Sequence, residues 1–83
     1  MNITDTILEE VLENTKHKEE INILNFQSMN INKISINSIN LENIEYLVLK
    51  NNQLRDISFI SCFPNLWYLD LRGNYVKIKI KLD

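Results

Sequence analysis

The sequence predicts an α/β repeat fold, in which short parallel strands stack between an N-terminal helix and a C-terminal β tail. Three observations lead to this prediction. An apolar pattern recurs along the middle of the chain, apolar residues near the N-terminus follow a helical spacing, and apolar residues at the C-terminus alternate with lysines. Because 83 residues suffice for one small domain, we expect residues 1–83 to form a single one.

The N-terminal part, residues 1–20, is expected to act as a helical cap. Residues 4–20 form the predicted helix, and Thr6 and Glu9 have the spacing of a capping box. Its apolar face consists of Ile7, Leu8, Val11 and Leu12. A repeat array needs such a cap, because an end repeat otherwise exposes its apolar core. Docking of this helix onto a partner is the alternative.

Three segments then share one set of apolar positions. The middle repeat, residues 44–57, has Ile44, Leu47, Leu49, Leu54 and Ile57, with Asn52 before Leu54. The last repeat, residues 66–76, has Leu66, Leu69, Leu71 and Val76, with Asn74 in the asparagine position. The first repeat, residues 21–34, has Ile21, Leu24, Phe26, Ile31 and Ile34, but Met29 replaces the asparagine. Such self-similarity indicates repeated structural units.

This pattern resembles the leucine-rich repeat, LxxLxLxxNxL, over residues 21–76. Between the middle and last repeats, apolar residues recur at every third position, namely Ile57, Ile60, Phe63 and Leu66. This spacing suits a 3₁₀ or loosely helical segment and looks like the 22-residue class found in protein-phosphatase regulators. The resemblance implies a short solenoid of about three repeats with parallel strands, which binds other proteins through its concave face without catalysis.

The asparagines at the repeated position are expected to be structural. An amide at Asn52 or Asn74 can bond backbone groups that a tight turn leaves unpaired, so stacked copies form a ladder.

Three outward rows are expected beside the inward leucines of each strand. The rows are Ile23, Tyr46 and Tyr68; Asn25, Val48 and Asp70; and Gln27, Lys50 and Arg72. Aromatic residues and arginine dominate interface energetics, so we expect a protein partner to contact Tyr46, Val48, Lys50, Tyr68, Asp70 and Arg72. A solvated face without a dedicated partner is the alternative. Trp67 flanks the last strand, and its direction depends on the structure of the tail.

Residues 77–83 are expected to form a basic β tail. Gly73 and Asn74 stand between two alternating runs, which is a signal for a two-residue hairpin turn. A longer turn is the alternative, because Asn74 cannot easily serve both as a ladder asparagine and as a residue of a tight turn. In that register Leu71 lies opposite Val76, Asp70 meets Lys77 and Trp67 faces the core. The tail would then cover the open edge of the sheet. Addition of the tail to a partner's sheet is the alternative.

The tail also carries most of the basic charge, although the whole chain has a net charge of −2. Nucleic acid is therefore expected to bind, if at all, only through this basic end, and Lys77, Lys79 and Lys81 are possible contacts to phosphate or to a partner. Alternatively, these lysines only protect an edge strand from aggregation.

Composition argues against several other functions. The chain has one His and one Cys, and it has no Gly-rich phosphate loop, so we expect no enzyme, cofactor or metal site. No apolar run spans a membrane and no signal peptide is visible, and the single cysteine fits an intracellular location. The expected function is an interaction or scaffold module. Alternatively, the chain is a small structural subunit of a large assembly, for example a ribonucleoprotein, a ribosome or a ciliary complex.

Overall fold

The computed structural model of the chain describes residues 1–13 and 22–77. Within these ranges it contains five three-residue strands, one α-helix and one 3₁₀ helix. In chain order they are β1 (Asn2–Thr4), α1 (Asp5–Glu13), β2 (Ile23–Asn25), β3 (Lys33–Ser35), β4 (Tyr46–Val48), the 3₁₀ helix (Ser58–Cys62) and β5 (Tyr68–Asp70). The predicted α/β class and the parallel direction of the strands are confirmed.

The central sheet contains one strand from each sequence repeat, in the order β2-β4-β5. Its parallel register aligns Leu24, Leu47 and Leu69 across the three strands. Leu24 and Leu47 are buried, while Leu69 at the end of the sheet is half-buried. This alignment is the one that the repeat pattern predicts, because alternate side chains of a strand point to the same face.

A second, two-stranded sheet joins the N-terminus to the first repeat. β1 pairs in parallel with β3, so that Ile3 lies beside Ile34. The N-terminal ammonium donates to the carbonyl of Asn30 at 2.7 Å. Neither strand was predicted, since neither contains the paired inward residues that recur in the central strands, and the pairing depends on a segment about 30 residues away in sequence.

Helix α1 lies against the core through the predicted apolar face. Leu8 is almost completely buried, and Ile7 and Val11 pack against the core cluster at half burial. The helix begins at Asp5, so Thr6 is its second residue and the predicted capping box is wrong. Residues 14–20 of the predicted helix lie outside the described residues.

The Asp5 side chain fixes the start of the helix to the chain that follows β3. Its carboxylate accepts hydrogen bonds from the backbone N–H groups of Asn37 and Ser38, at 2.8 and 2.9 Å. These hydrogen bonds stabilise the ionised carboxylate and therefore lower the pKa of Asp5 below its usual value, and the bond from Asn37 has the largest effect.

The predicted 3₁₀ geometry between the middle and last repeats is also confirmed. Phe59 and Phe63 are both buried, and their rings meet edge to face with centroids 6.4 Å apart. Phe59 lies outside the every-third-residue pattern, so the pattern did not identify it as a core residue. Cys62 is half-buried.

Asn52 and Asn74 form the predicted ladder between repeats. The Asn52 amide donates to the carbonyls of Phe26 and Leu49, each at 2.9 Å, and its oxygen accepts from Met29 and Ile31 N–H groups at 3.0 Å. Each asparagine thus bonds its own repeat and the one before it. β2 is an edge strand, so there is no earlier repeat for position 29 to bond, and an exposed methionine is accommodated there.

Asn74 makes the equivalent contacts one repeat further on. Its amide donates to the carbonyls of Leu49 and Leu71 at 2.8 and 3.0 Å, and its oxygen accepts from Leu54 N–H at 3.0 Å.

The predicted hairpin turn at Gly73 and Asn74 is wrong. Gly73 has a φ of 73°, but the equivalent residues Ser28 and Asn51 also have positive φ values, of 57° and 59°. The left-handed residue therefore belongs to the turn of each repeat, just before the asparagine position. Tyr75 N–H donates to the carbonyl of Leu54 at 2.8 Å, so the chain continues in the direction of the repeat.

The tail itself is described only in part. Val76 packs against the core at half burial and Lys77 is exposed. Residues 78–83, which carry most of the predicted strand, lie outside the described residues.

Candidate protein-binding face

The outer face of the central sheet presents the three predicted rows in register. Ile23, Tyr46 and Tyr68 are aligned by strand pairing, and Asn25, Val48 and Asp70 follow two residues further along the strands. Backbone hydrogen bonds from Ser28 to Lys50 and from Asn51 to Arg72 extend the ladder, which aligns the third row, Gln27, Lys50 and Arg72. The outer sheet face, defined by these nine residues, therefore has the arrangement that the sequence predicts.

An aromatic cluster occupies the end of the outer sheet face where the strands begin. The ring centroid of Tyr46 lies 4.7 Å from that of Trp67 and 5.9 Å from that of Tyr68, in tilted geometries that aromatic pairs favour. Trp67 is 66% exposed and Tyr68 is 44% exposed, and the neighbouring Ile23 is 53% exposed. Together these four side chains form an apolar patch open to solvent.

Trp67 was not among the predicted contact residues. The hairpin register turned it toward the core, whereas the structure places it in solvent with its ring nitrogen donating to the Glu45 carboxylate at 3.1 Å. Two features of the sequence could have identified Trp67 as a contact residue. It is the only tryptophan, and it comes directly before a predicted strand.

At the other end of the outer sheet face, Asp70 and Arg72 form a bidentate ion pair. Arg72 Nε donates to Oδ1 of Asp70 at 3.0 Å and Nη2 donates to Oδ2 at 2.8 Å. The hydrogen bonds from the Arg72 side chain lower the pKa of Asp70 to about 2. Among the described residues the Asp70 carboxylate contacts Arg72 instead of the predicted Lys77, because the chain after Gly73 continues along the repeat at Tyr75.

The ion pair gives its two members different roles. The Asp70 side chain is only 6% exposed, whereas that of Arg72 is 71% exposed. Asp70 therefore holds the guanidinium in place, and Arg72 remains accessible to a partner.

Val48 lies between these two ends on β4, whereas Lys50 follows β4 by two residues and is aligned with Arg72 at the second end. Both side chains are half-buried. Among residues 1–13 and 22–77, the Asp70–Arg72 contact is the one ion pair, so Lys50 has none there. The positive charge of Lys50 contributes to the lowered pKa of Asp70, which places the ammonium near that carboxylate without pairing it.

In the described part of the chain, the basic tail does not contribute to the outer sheet face. Lys77 is exposed after Val76, and Lys79 and Lys81 lie outside the described residues. A separate contact lies outside the outer sheet face, between exposed residues that follow the ladder asparagines. The guanidinium of Arg55 lies 5.6 Å from the ring centroid of Tyr75.

Two further kinds of feature are absent from the described residues. No group of three or more His, Cys, Asp or Glu side chains there is arranged to hold a metal ion. No helix in the same ranges is both long and apolar enough to cross a membrane.

Stacked parallel strands, with a ladder asparagine after the strands of the middle and last repeats and an exposed outer face, define the class of parallel-strand repeat proteins. The family model for the leucine rich repeat matches residues 19–76, more than half of the chain, so the chain belongs to the leucine-rich-repeat family. Domains of this family commonly mediate protein–protein interaction and are in general non-catalytic. No curated protein and no solved structure matches the chain.

Proposed function

We propose that the chain is a non-catalytic protein-interaction module that binds a protein partner through its outer sheet face. The observation that carries this proposal is the exposed aromatic cluster of Tyr46, Trp67 and Tyr68, which lies in register on adjacent strands. In this proposal the repeats form a short solenoid of about three units of the 22-residue class, and the outer sheet face is its concave side.

The energetics of interfaces support this choice of surface. Aromatic residues and arginine are enriched among the residues that carry most of the binding free energy. The backbone beneath the cluster is fixed by the strand ladder and by the asparagine bonds, so little order has to be gained when a partner binds. Contiguous apolar patches on the surface of soluble proteins mark interaction sites.

Replacement of both tyrosines tests this proposal. Tyr46→Ala with Tyr68→Ala in the full chain is expected to abolish co-purification of the partner from cells that produce the protein. Tyr75→Ala is the matched control, because Tyr75 is also exposed but lies off the outer sheet face. Circular dichroism checks that the variants keep the fold. A folded double variant that still co-purifies with the same partner would place the site elsewhere.

A second candidate function, a structural subunit of a large assembly, is favoured by the open end of the repeats. In the middle repeat Ile44, Leu47, Leu49 and Leu54 are fully buried. Their counterparts in the last repeat, Leu66, Leu69, Leu71 and Val76, are only half-buried. A neighbouring subunit packed on this end would complete their burial.

The behaviour of the isolated chain discriminates between these two functions. A core of this size seldom supplies more than about 3–5 kcal/mol, so added contacts would matter for an obligate subunit. An adaptor is expected to be a soluble monomer when expressed alone, whereas an obligate subunit is expected to be unstable or insoluble.

The remaining assignments extend this proposal. We place the protein inside the cell, with residues 1–83 as one domain made of a cap at 1–20, repeats at 21–76 and a tail at 77–83. Any contact with nucleic acid would involve Lys77, Lys79 and Lys81. Such a contact predicts RNA binding that weakens steeply with salt, and an absence of binding at low salt would dismiss it.

A further inference from the structure

We propose that the outer sheet face recognises an acidic segment of a protein partner, one that places a bulky apolar side chain on the aromatic cluster and an Asp or Glu carboxylate at Lys50 and Arg72. This inference rests on the proposed function, since it names the chemistry of the partner bound at the same face.

The two ends of the outer sheet face differ in chemical character. Exposed apolar side chains occupy the end where the strands begin, and the one carboxylate that contacts the aromatic cluster, that of Glu45, accepts a hydrogen bond from Trp67. The other end carries Lys50 and Arg72 on adjacent strands, with Asp70 as the only acid in the three rows. The carboxyl end of the strands therefore has one positive charge in excess.

Asp70 does not cancel the attraction of this end for a second carboxylate. Its two oxygens are already used by Nε and Nη2 of Arg72, which leaves other guanidinium hydrogens directed away from the pair. The ammonium of Lys50 keeps all three donors without an ion-pair partner among the described residues. The backbone positions that carry these two cations are aligned by the ladder and lie about 5 Å apart, the spacing of neighbouring strands, so the ammonium and the guanidinium provide two donors for one carboxylate.

The spacing of the two ends sets the spacing of the two groups on the partner. The aromatic row and the basic row are four residues apart along the strands, which corresponds to about 13 Å. An extended segment spans this distance with about four residues, and a helix spans it with about eight or nine. The orientation is fixed as well, with the apolar side chain toward Trp67 and the acid toward Arg72.

The test is selection of binders from a displayed library of random twelve-residue peptides on the folded full chain. We expect enriched peptides to combine an aromatic or large aliphatic residue with an Asp or Glu. Because Trp67 is the only tryptophan and lies in the aromatic cluster, its fluorescence reports the titration of a synthetic, tryptophan-free peptide that the selection yields.

The charge contact is then tested by matched substitutions. Lys50→Gln is expected to weaken binding about tenfold or more, which corresponds to about 1.4 kcal/mol or more, because it removes a hydrogen bond to a charged group. Lys33→Gln, which removes an exposed lysine in the other sheet, is expected to change it less than twofold. Replacing the peptide acid with Asn should cause the same loss, and that loss should vanish in the Lys50→Gln background.

The outcomes separate this inference from the proposed function. Peptides that need Tyr46 and Tyr68 but carry no acid, or that bind Lys50→Gln unchanged, would overturn the acidic partner and leave the binding face intact. The inference of an acidic partner would also be overturned if the selection yields no peptide whose binding depends on Tyr46 and Tyr68. The proposed function falls separately, if the double tyrosine variant still co-purifies with the natural partner.

Discussion

Removal of the Asn52 side chain is expected to abolish about half of the stability of the free chain. Asn52 is 4% exposed, and it satisfies four backbone groups with bonds of 2.9 to 3.0 Å. Three of these bonds, to Phe26, Leu49 and Ile31, are buried. Alanine leaves the Phe26 carbonyl and the Ile31 N–H without a partner, whereas the Leu49 carbonyl still accepts from the Asn74 amide at 2.8 Å. Each buried unsatisfied group costs about 1–3 kcal/mol.

The lower limit for two groups gives a loss of about 2 kcal/mol, since water entering the site would reduce the cost of each. This loss is about half of the stability of about 3–5 kcal/mol that a domain of this size can reach. With a urea m-value of about 1 kcal/mol/M, the unfolding midpoint should fall by about 2 M. The measurement is urea unfolding of the purified chain, followed by far-ultraviolet circular dichroism.

Two variants calibrate this measurement. Asn25→Ala removes one exposed bond between neighbouring residues, and we expect a change of about 0.5 kcal/mol or less. Asn74→Ala should lie between the two, because its bonds to Leu49, Leu54 and Leu71 are only partly buried. If Asn52→Ala unfolds at the same urea concentration as Asn25→Ala, the asparagine ladder does not stabilise the fold and our reasoning is refuted.

Three other perturbations have defined outcomes. Gly73→Ala should destabilise by about 1–3 kcal/mol, because φ is positive there and the new Cβ would clash with the side-chain oxygen of Asn51; an unchanged thermal midpoint would contradict this. Asp70 contributes stability above its usual pKa of 3.8 that is lost as the pH falls toward about 2. Acid unfolding of Arg72→Met should show a smaller loss in this window, and equal losses would argue against the ion pair. Phe59→Ala, at a 4% exposed position, should cost about 3–5 kcal/mol and unfold the chain, and a cooperative melt close to that of the wild type would exclude it from the core.

The sequence predicts the central sheet and its outer face well, because both depend on local periodicity. The alternation around Leu47 and Leu49 determines which residues point inward, and equivalent positions in the other repeats follow from the common spacing. The register of Tyr46 with Tyr68 is therefore found without any tertiary information. The structural role of Asn52 is predicted for the same reason, since a turn follows every strand.

The turn at Gly73 and the direction of Trp67 could not be predicted, because one local signal fits two structures. A glycine with positive φ serves a hairpin turn and a repeat turn equally well, and only the hydrogen bond from Tyr75 to Leu54 distinguishes them. The direction of Trp67 depended on that choice. The Asp70–Arg72 pair depends on rotamers, which spacing does not reveal. β1 was missed because its pairing partner lies far along the chain.

The direction of the asparagine bonds bears on how such a chain can lengthen during evolution. Asn74 belongs to the last repeat but satisfies Leu49 and Leu54 of the middle repeat, just as Asn52 satisfies Phe26 and Ile31 of the first. Each repeat thus carries the asparagine that bonds it to the repeat before it. A duplicated repeat inserted between two existing ones would bring its own asparagine and leave the bonds of the next asparagine possible. Gene duplication can therefore extend this protein without coordinated changes in neighbouring units.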